Sequence, residues 1–236
     1  MRSLVSGATN FRDVGGLPAG AGRSRAGVLY RSGNLVHVDD EGLQTMDDLG
    51  LRRIIDLRDD AEVRHAPSRV DGLDVEVQRV PLFLGSVESF FARDVSLGEL
   101  YAELVEGSAA RIVDAVRGIL GAQPVLIHCT VGKDRTGVTV ALALAAAGVD
   151  RDAVIDDYAR TEGLLPAERN RQVLAGIRAL HPENRHAEEL ATRSPAPVMR
   201  GLLERLDAEY GSPADFLRAH GLTDAELARL RAVLIE

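Results

Sequence analysis

The chain has 236 residues, 45% of them hydrophobic, which suits one compact domain, or one domain carrying an elaborated lid. Its net charge of -8, from 28 basic and 36 acidic residues, repels polyanions, so nucleic-acid binding is not expected. A single cysteine excludes an internal disulfide framework and suits a reducing compartment.

The first residues, Met1 to Ser6, show no apolar run of a secretory leader. The longest central charge-free stretch, Thr136 to Val149, is too short and too rich in Gly and Ala to span a bilayer. The expectation is a cytoplasmic protein without stable membrane insertion, with export lacking a visible signal left open.

In chain order, residues 28–31 read as a strand and residues 39–49 as a helix, with Asp39 or Asp40 as N-cap and Gly50 closing it. The β-branched run at 53–57 predicts a buried strand, and alternation at 75–80 predicts another. Two helices follow, around 97–105 and over 109–120. An apolar strand at 124–128 then runs into a glycine-containing turn, and 137–147 has the composition of a buried helix. Strand, tight loop and buried helix in that order are the parts of an α/β domain with its site at a strand's carboxyl end.

Beyond Asp152 the pattern is helical, with segments at 152–160, 167–180, 197–209, 213–219 and 224–235 separated by Pro or Gly. Thr223 ahead of Glu226 forms a capping box for the last of them. The organisation expected is a single domain over 1–236, with 160–210 as a helical lid or insertion. His181 and His186 flank Pro182, which spoils helical facing, so no metal site is expected.

The chemistry concentrates in His128-Cys129-Thr130-Val131-Gly132-Lys133-Asp134-Arg135-Thr136-Gly137. Five residues between a cysteine and an arginine can curl so that successive N–H groups point inward, an anion nest at a helix N-terminus. Thr130, Val131, Gly132 and Lys133 would supply that nest. The sulfur then forms the floor, and the guanidinium closes the ring with two parallel hydrogen bonds to phosphate oxygens. A helix N-terminus and nearby cations favour the thiolate, the nucleophilic form of cysteine. The Thr136 hydroxyl is placed to meet the sulfur or to orient water, and Gly132 allows a backbone conformation that a side chain would hinder. A lone cysteine at a strand end is ordinarily a small apolar residue; the surrounding string overrides that reading. A nucleotide-binding Walker loop is excluded, because Ile127 stands where its first glycine would fall.

The pattern His-Cys-x5-Arg-Thr-Gly resembles the protein tyrosine phosphatase superfamily, and Gly-Lys-Asp-Arg-Thr-Gly is similar to its atypical bacterial branch of tyrosine and phosphoinositide phosphatases. Asn10 to Gly16, Tyr30-Arg31-Ser32-Gly33, Asp56-Leu57-Arg58, Asp157-Tyr158 and Glu209 to Ser212 resemble other elements of that branch. The resemblance spans nearly the whole chain. It implies a central four- or five-stranded, mostly parallel sheet flanked by helices, a C-terminal helical lid, and no metal or organic cofactor. It also implies phosphotyrosine proteins or phosphoinositides as substrates, with phosphoserine and phosphothreonine as further ones.

The expected reaction has two steps. Cys129 attacks phosphorus to give a phosphocysteine while Arg135 and the nest stabilise the equatorial oxygens, and water then hydrolyses the intermediate. A general acid for the leaving oxygen is open among Asp56, Asp134 and Asp94, ranked in that order. The resembling branch places its acid at this Asp-Leu-Arg, whereas Asp94 lacks the Trp-Pro context of conventional members. Plainer roles compete: an ion pair with Arg58 for Asp56, a helix N-cap for Asp94, and a tie to a backbone amide for Asp134. Lys133 is either a solvated loop lysine or an attractor of multiply phosphorylated headgroups. His128 is read as ordering the cysteine's backbone rather than as a base, and Arg12 with Asp13 as a buried pair ahead of a direct substrate contact. Two other readings stand beside the enzyme: a phospho-ligand binding module that turns over poorly, and a rhodanese-like sulfurtransferase. Arg-Thr-Gly and Asp-Leu-Arg speak against the latter.

Overall fold

The computed structural model describes residues 3–82 and 93–236. The chain enters through β1 (Arg12–Asp13), a small hairpin of β2 (Pro18–Ala19) and β3 (Gly22–Arg23), and β4 (Leu29–Ser32). There follow α1 (Asp40–Asp48), β5 (Arg53–Asp56), α2 (Asp60–His65), β6 (Glu76–Arg79), α3 (Leu97–Gly121), β7 (Val125–His128) and α4 (Asp134–Ala147). The remainder is helical: α5 (Arg151–Leu164), α6 (Ala167–Leu180), α7 (Ala187–Thr192), α8 (Ala196–Tyr210), α9 (Pro213–Ala219) and α10 (Asp224–Leu234).

The main sheet has five strands in the order β1-β4-β7-β5-β6. All pairings are parallel except β1 with β4, so the expected mostly parallel α/β sheet is what forms. β4 and β7 are buried along their whole length, as central strands enclosed on both faces should be, although β4 carries Arg31 and Ser32 inside. Ser32 and Asp56 both stand in register with His128. The segments leaving β4, β5 and β7 therefore emerge together at the carboxyl edge of the sheet, where α/β proteins place their sites. α4 springs from that edge into the interior, buried on nearly all sides from Thr136 to Leu144.

Several local expectations change. The two helices at 97–105 and 109–120 are one, α3, kinked at Ser108, where the backbone leaves helical values (φ -127°, ψ 16°). α2 and α7 were not foreseen; α2 is opened by a capping box between Asp59 and Glu62. α4 begins at Asp134 rather than 137, so the second half of the loop is already its first turn. Among the described residues, no helix is long and apolar enough to cross a membrane.

Candidate active site

The loop after β7 is suspended from the N-terminal segments. Gly132 has φ +73°, and a Cβ there would lie 2.4 Å from the Ser32 carbonyl, so conformation and space both require glycine. Its N–H donates to Cys129 Sγ at 3.3 Å. Its carbonyl accepts from Asn10 Nδ2 at 2.9 Å and from Arg31 at 3.0 Å. Cys129 lies at the floor, 2% exposed.

Arg31 is in turn held by Asp157 of α5, which it meets at 2.8 Å, and Arg12 Nε meets the same carboxylate at 2.8 Å. All three side chains are buried. Burial pushes the Asp157 carboxyl up, but Arg31 and Arg12 outweigh it and hold it below the usual range. Burial, with Arg31 beside it, lowers Arg12 to about 10. The expected Arg12–Asp13 pair does not form. Neighbours in a strand point to opposite faces, and Asp13 instead accepts from the N–H groups of Gly15 and Gly27.

Arg135, the other end of the loop, makes a two-pronged ion pair with Glu62 of α2, both contacts at 2.6 Å. Glu62 also accepts from the Thr130 hydroxyl and from the N–H of Asp59. Burial raises the Glu62 carboxyl, but Arg135 and Thr130 prevail and bring it to about 2. Burial opposes the Arg135 charge, and the bonds to Glu62 overcome it and raise the guanidinium. Sequence reasoning missed Glu62. Its only local signal is the capping-box spacing after Asp-Leu-Arg, which says nothing of a partner 73 residues away.

The three carboxylates weighed as acids occupy different settings. Asp56 is 3% exposed and accepts from Arg58 through its N–H (3.0 Å), Nε (2.9 Å) and Nη2 (2.8 Å). Burial raises it, but the hydrogen bonds from Arg58 bring it below its ordinary value, so it is held as an anion in a closed ion pair. Asp94 accepts from the N–H and Nε of Arg185, and Ser96, not Asp94, caps α3. Asp134 opens α4 inside the loop; its Oδ1 accepts from the Tyr101 hydroxyl at 2.9 Å and lies 2.8 Å from Lys133 Nζ.

Lys133 is not solvated. It is 1% exposed, and Nζ also donates to the carbonyls of Arg193 (3.0 Å) and Glu189 (3.5 Å) at the end of α7. Arg169 of α6 donates to a third carbonyl there, Ala191, at 3.1 Å. Two cations thus cap the carbonyl end of a short helix above the loop. Thr136 is fully buried, its hydroxyl without a hydrogen-bond partner among the described residues. His128 Nδ1 lies 3.3 Å from the Cys129 carbonyl, and burial lowers the ring to about 4, so it stays neutral.

The profile of the tyrosine phosphatase family matches residues 4–236. The triple specificity protein phosphatase PtpB of Mycobacterium tuberculosis is 33% identical over 275 residues, covering 98% of this chain and 98% of that protein. A tyrosine-protein phosphatase of Nostoc commune is 28% identical over 222 residues, covering 89% of this chain and 74% of that protein. The core catalytic domain of the PP-IP phosphatase SIW14 from S. cerevisiae, in complex with citrate, is 18% identical, covering 79% of this chain and 93% of that chain. Its TM-score of 0.39 is too slight a likeness to build on. With a family match over almost the full length and a relative of this identity, the chain belongs to the tyrosine phosphatase family and is a cysteine-dependent phosphatase.

Proposed function

We propose that the chain hydrolyses phosphotyrosine, and also phosphoserine, phosphothreonine and phosphoinositide monoesters, through a phosphocysteine on Cys129. The observation that carries this is the closed loop: a cysteine sulfur at its floor, a glycine N–H aimed at it, and Arg135 at its rim. Cys129 Sγ attacks phosphorus in line. The N–H groups of Thr130, Val131, Gly132 and Lys133, with Arg135, meet the equatorial oxygens. Glu62 orients the Arg135 fork for that task. Thr136 stands in the first turn of α4 beneath the loop, where its unengaged hydroxyl is free to meet the departing thiolate.

Asp134 is the proton donor in this reading. It belongs to the loop itself, whereas Asp56 is tied to Arg58 by three hydrogen bonds and Asp94 to Arg185. A general acid contributes typically 10²–10⁴ in rate. The binding-module alternative rested on the uncertain identity of the acid, and the place of Asp134 in the loop favours the enzyme.

The segment 160–210 acts as a lid, since α7 sits on the loop through Lys133. The breadth of substrate is supported by the name of the Mycobacterium tuberculosis relative, and a cytoplasmic setting by the single thiol. Phosphate release from phosphotyrosine, phosphoserine and phosphothreonine peptides and from phosphoinositide vesicles, run side by side in EDTA, tests the reading. Release from all four that Cys129→Ser abolishes is expected; release from phosphotyrosine peptide alone would strike out the broad specificity.

A further inference from the structure

Behind Asp134 stand two phenols that the two-step reaction does not call upon. Tyr101 of α3 and Tyr158 of α5 are both fully buried. Their rings meet edge to face, centroids 6.0 Å apart at 80°, and their hydroxyl oxygens are 2.8 Å apart. The Tyr101 hydroxyl lies 2.9 Å from Asp134 Oδ1. A phenol has one hydrogen to give. Because Tyr101 gives its hydrogen to the carboxylate, the hydrogen between the two phenols belongs to Tyr158. The order is therefore fixed: Tyr158 donates to Tyr101, and Tyr101 donates to Asp134. Burial raises both phenols, so they remain neutral donors throughout the working pH range.

The surroundings are built for this chain of donors. A Cβ at Gly137 would stand 3.1 Å from Tyr158 Cδ2, so that glycine lets the ring lie against α4. Tyr158 follows Asp157, whose carboxylate holds Arg31 and through it the Gly132 carbonyl. One turn of α5 thus secures both the loop backbone and the phenols behind the acid.

We propose that Tyr101, backed by Tyr158, is a positioning residue that fixes which oxygen of Asp134 delivers the proton; this rests on Asp134 being the donor. With Oδ1 engaged by Tyr101 and beside Lys133, the acid proton resides on Oδ2. As Sγ bonds to phosphorus and the P–O bond of the leaving group breaks, the Oδ2–H bond breaks and its proton passes to the leaving oxygen. Asp134 is left as a carboxylate, and the hydrogen bond from Tyr101 strengthens as that charge develops. In the second step the water oxygen bonds to phosphorus, the S–P bond breaks to free the Cys129 thiolate, and Oδ2 takes the water's proton, which restores the acid.

The test compares two aryl phosphates of similar size. Phenol resembles the tyrosine side chain, a weak acid with pKa of about 10, so phenyl phosphate needs a proton donor; p-nitrophenolate is a stabilised anion and scarcely does. For Tyr101→Phe the expectation is a fall in kcat/KM, which reports the leaving-group step alone, on phenyl phosphate of roughly 10- to 100-fold, part of what a general acid gives. On p-nitrophenyl phosphate the fall in kcat/KM stays within about threefold. Tyr158→Phe, which keeps the first donor, shows the same selectivity at smaller size and stands in if the first variant is unstable. Asp134→Asn alone and with Tyr101→Phe should be equally slow on phenyl phosphate. Equal losses on the two substrates in Tyr101→Phe and Tyr158→Phe, or wild-type rates on both, would overturn the positioning role while a selective Asp134→Asn keeps the acid. An Asp134→Asn variant that treats both substrates alike would overturn the acid and, with it, this inference.

Discussion

The floor of the site and its cover are held in opposite ways. Beneath the loop, Asn10, Arg12, Arg31 and Asp157 form a buried network whose bonds converge on one carbonyl, that of Gly132. Above it, α6 buries only Ile177, α7 adds Ala187, Leu190 and Ala191 to the core, and two polar contacts tie the pair to the rest: Lys133 on the end of α7, and Asp94 on Arg185. A reaction that builds charge at fixed points needs donors that do not relax, and a buried, ion-paired network supplies that rigidity. The exposed Asp94–Arg185 pair adds little to the hold on these two helices.

The largest expected effect breaks the floor. Asp157→Ala leaves two buried guanidiniums without their counter-ion, which typically costs about 3–5 kcal/mol. Urea unfolding should show that loss, with activity abolished; stability near that of the wild type would mean the network is not what holds the loop. Next comes acid. Burial lowers His128 to about 4 from an ordinary 6.5, so between those values the unfolded chain binds a proton that the native protein refuses. This contribution is fully present above pH 6.5 and is lost as pH falls through about 4, amounting to about 3 kcal/mol. Unfolding curves across that range should show the decline, and His128→Asn should flatten it.

Glu62→Gln is expected to act on function. With the charged partner of Arg135 gone, kcat/KM should fall about 10- to 100-fold, the range in which a clamp's orientation counts, while the unfolding midpoint stays nearly in place. A variant that keeps full kcat/KM would remove Glu62 from the machinery. The smallest effect concerns the cover: Asp94→Ala should leave global unfolding unchanged and raise amide exchange in α6 and α7 alone. Exchange that rises throughout the molecule would dissolve the contrast between floor and cover.

The sheet and the loop were legible because their signals are local. Apolar runs at 53–57 and 124–128 need only their own residues to be read, and a cysteine five residues short of an arginine carries its geometry in its spacing. Asp56 was ranked first as acid on resemblance, although Arg58 two residues on shares its face of an extended chain and takes it up in an ion pair. Lys133 invited a solvated reading because lysines are seldom buried; its cover comes from α7, more than fifty residues later. Glu62 and Tyr101 were out of reach for the same reason. Their partners, Arg135 and Asp134, lie 73 and 33 residues away, and only the assembled carboxyl edge of the sheet brings them together.

The central claim is that Cys129 carries the phosphoryl group. Enzyme quenched in acid during turnover of p-nitrophenyl phosphate in EDTA, then digested and mapped by mass spectrometry, tests it most directly. A phosphate on the peptide bearing Cys129, with neither phosphate nor turnover in Cys129→Ser, is the predicted result. Turnover that survives in the serine variant, or phosphate found on another side chain, would contradict it.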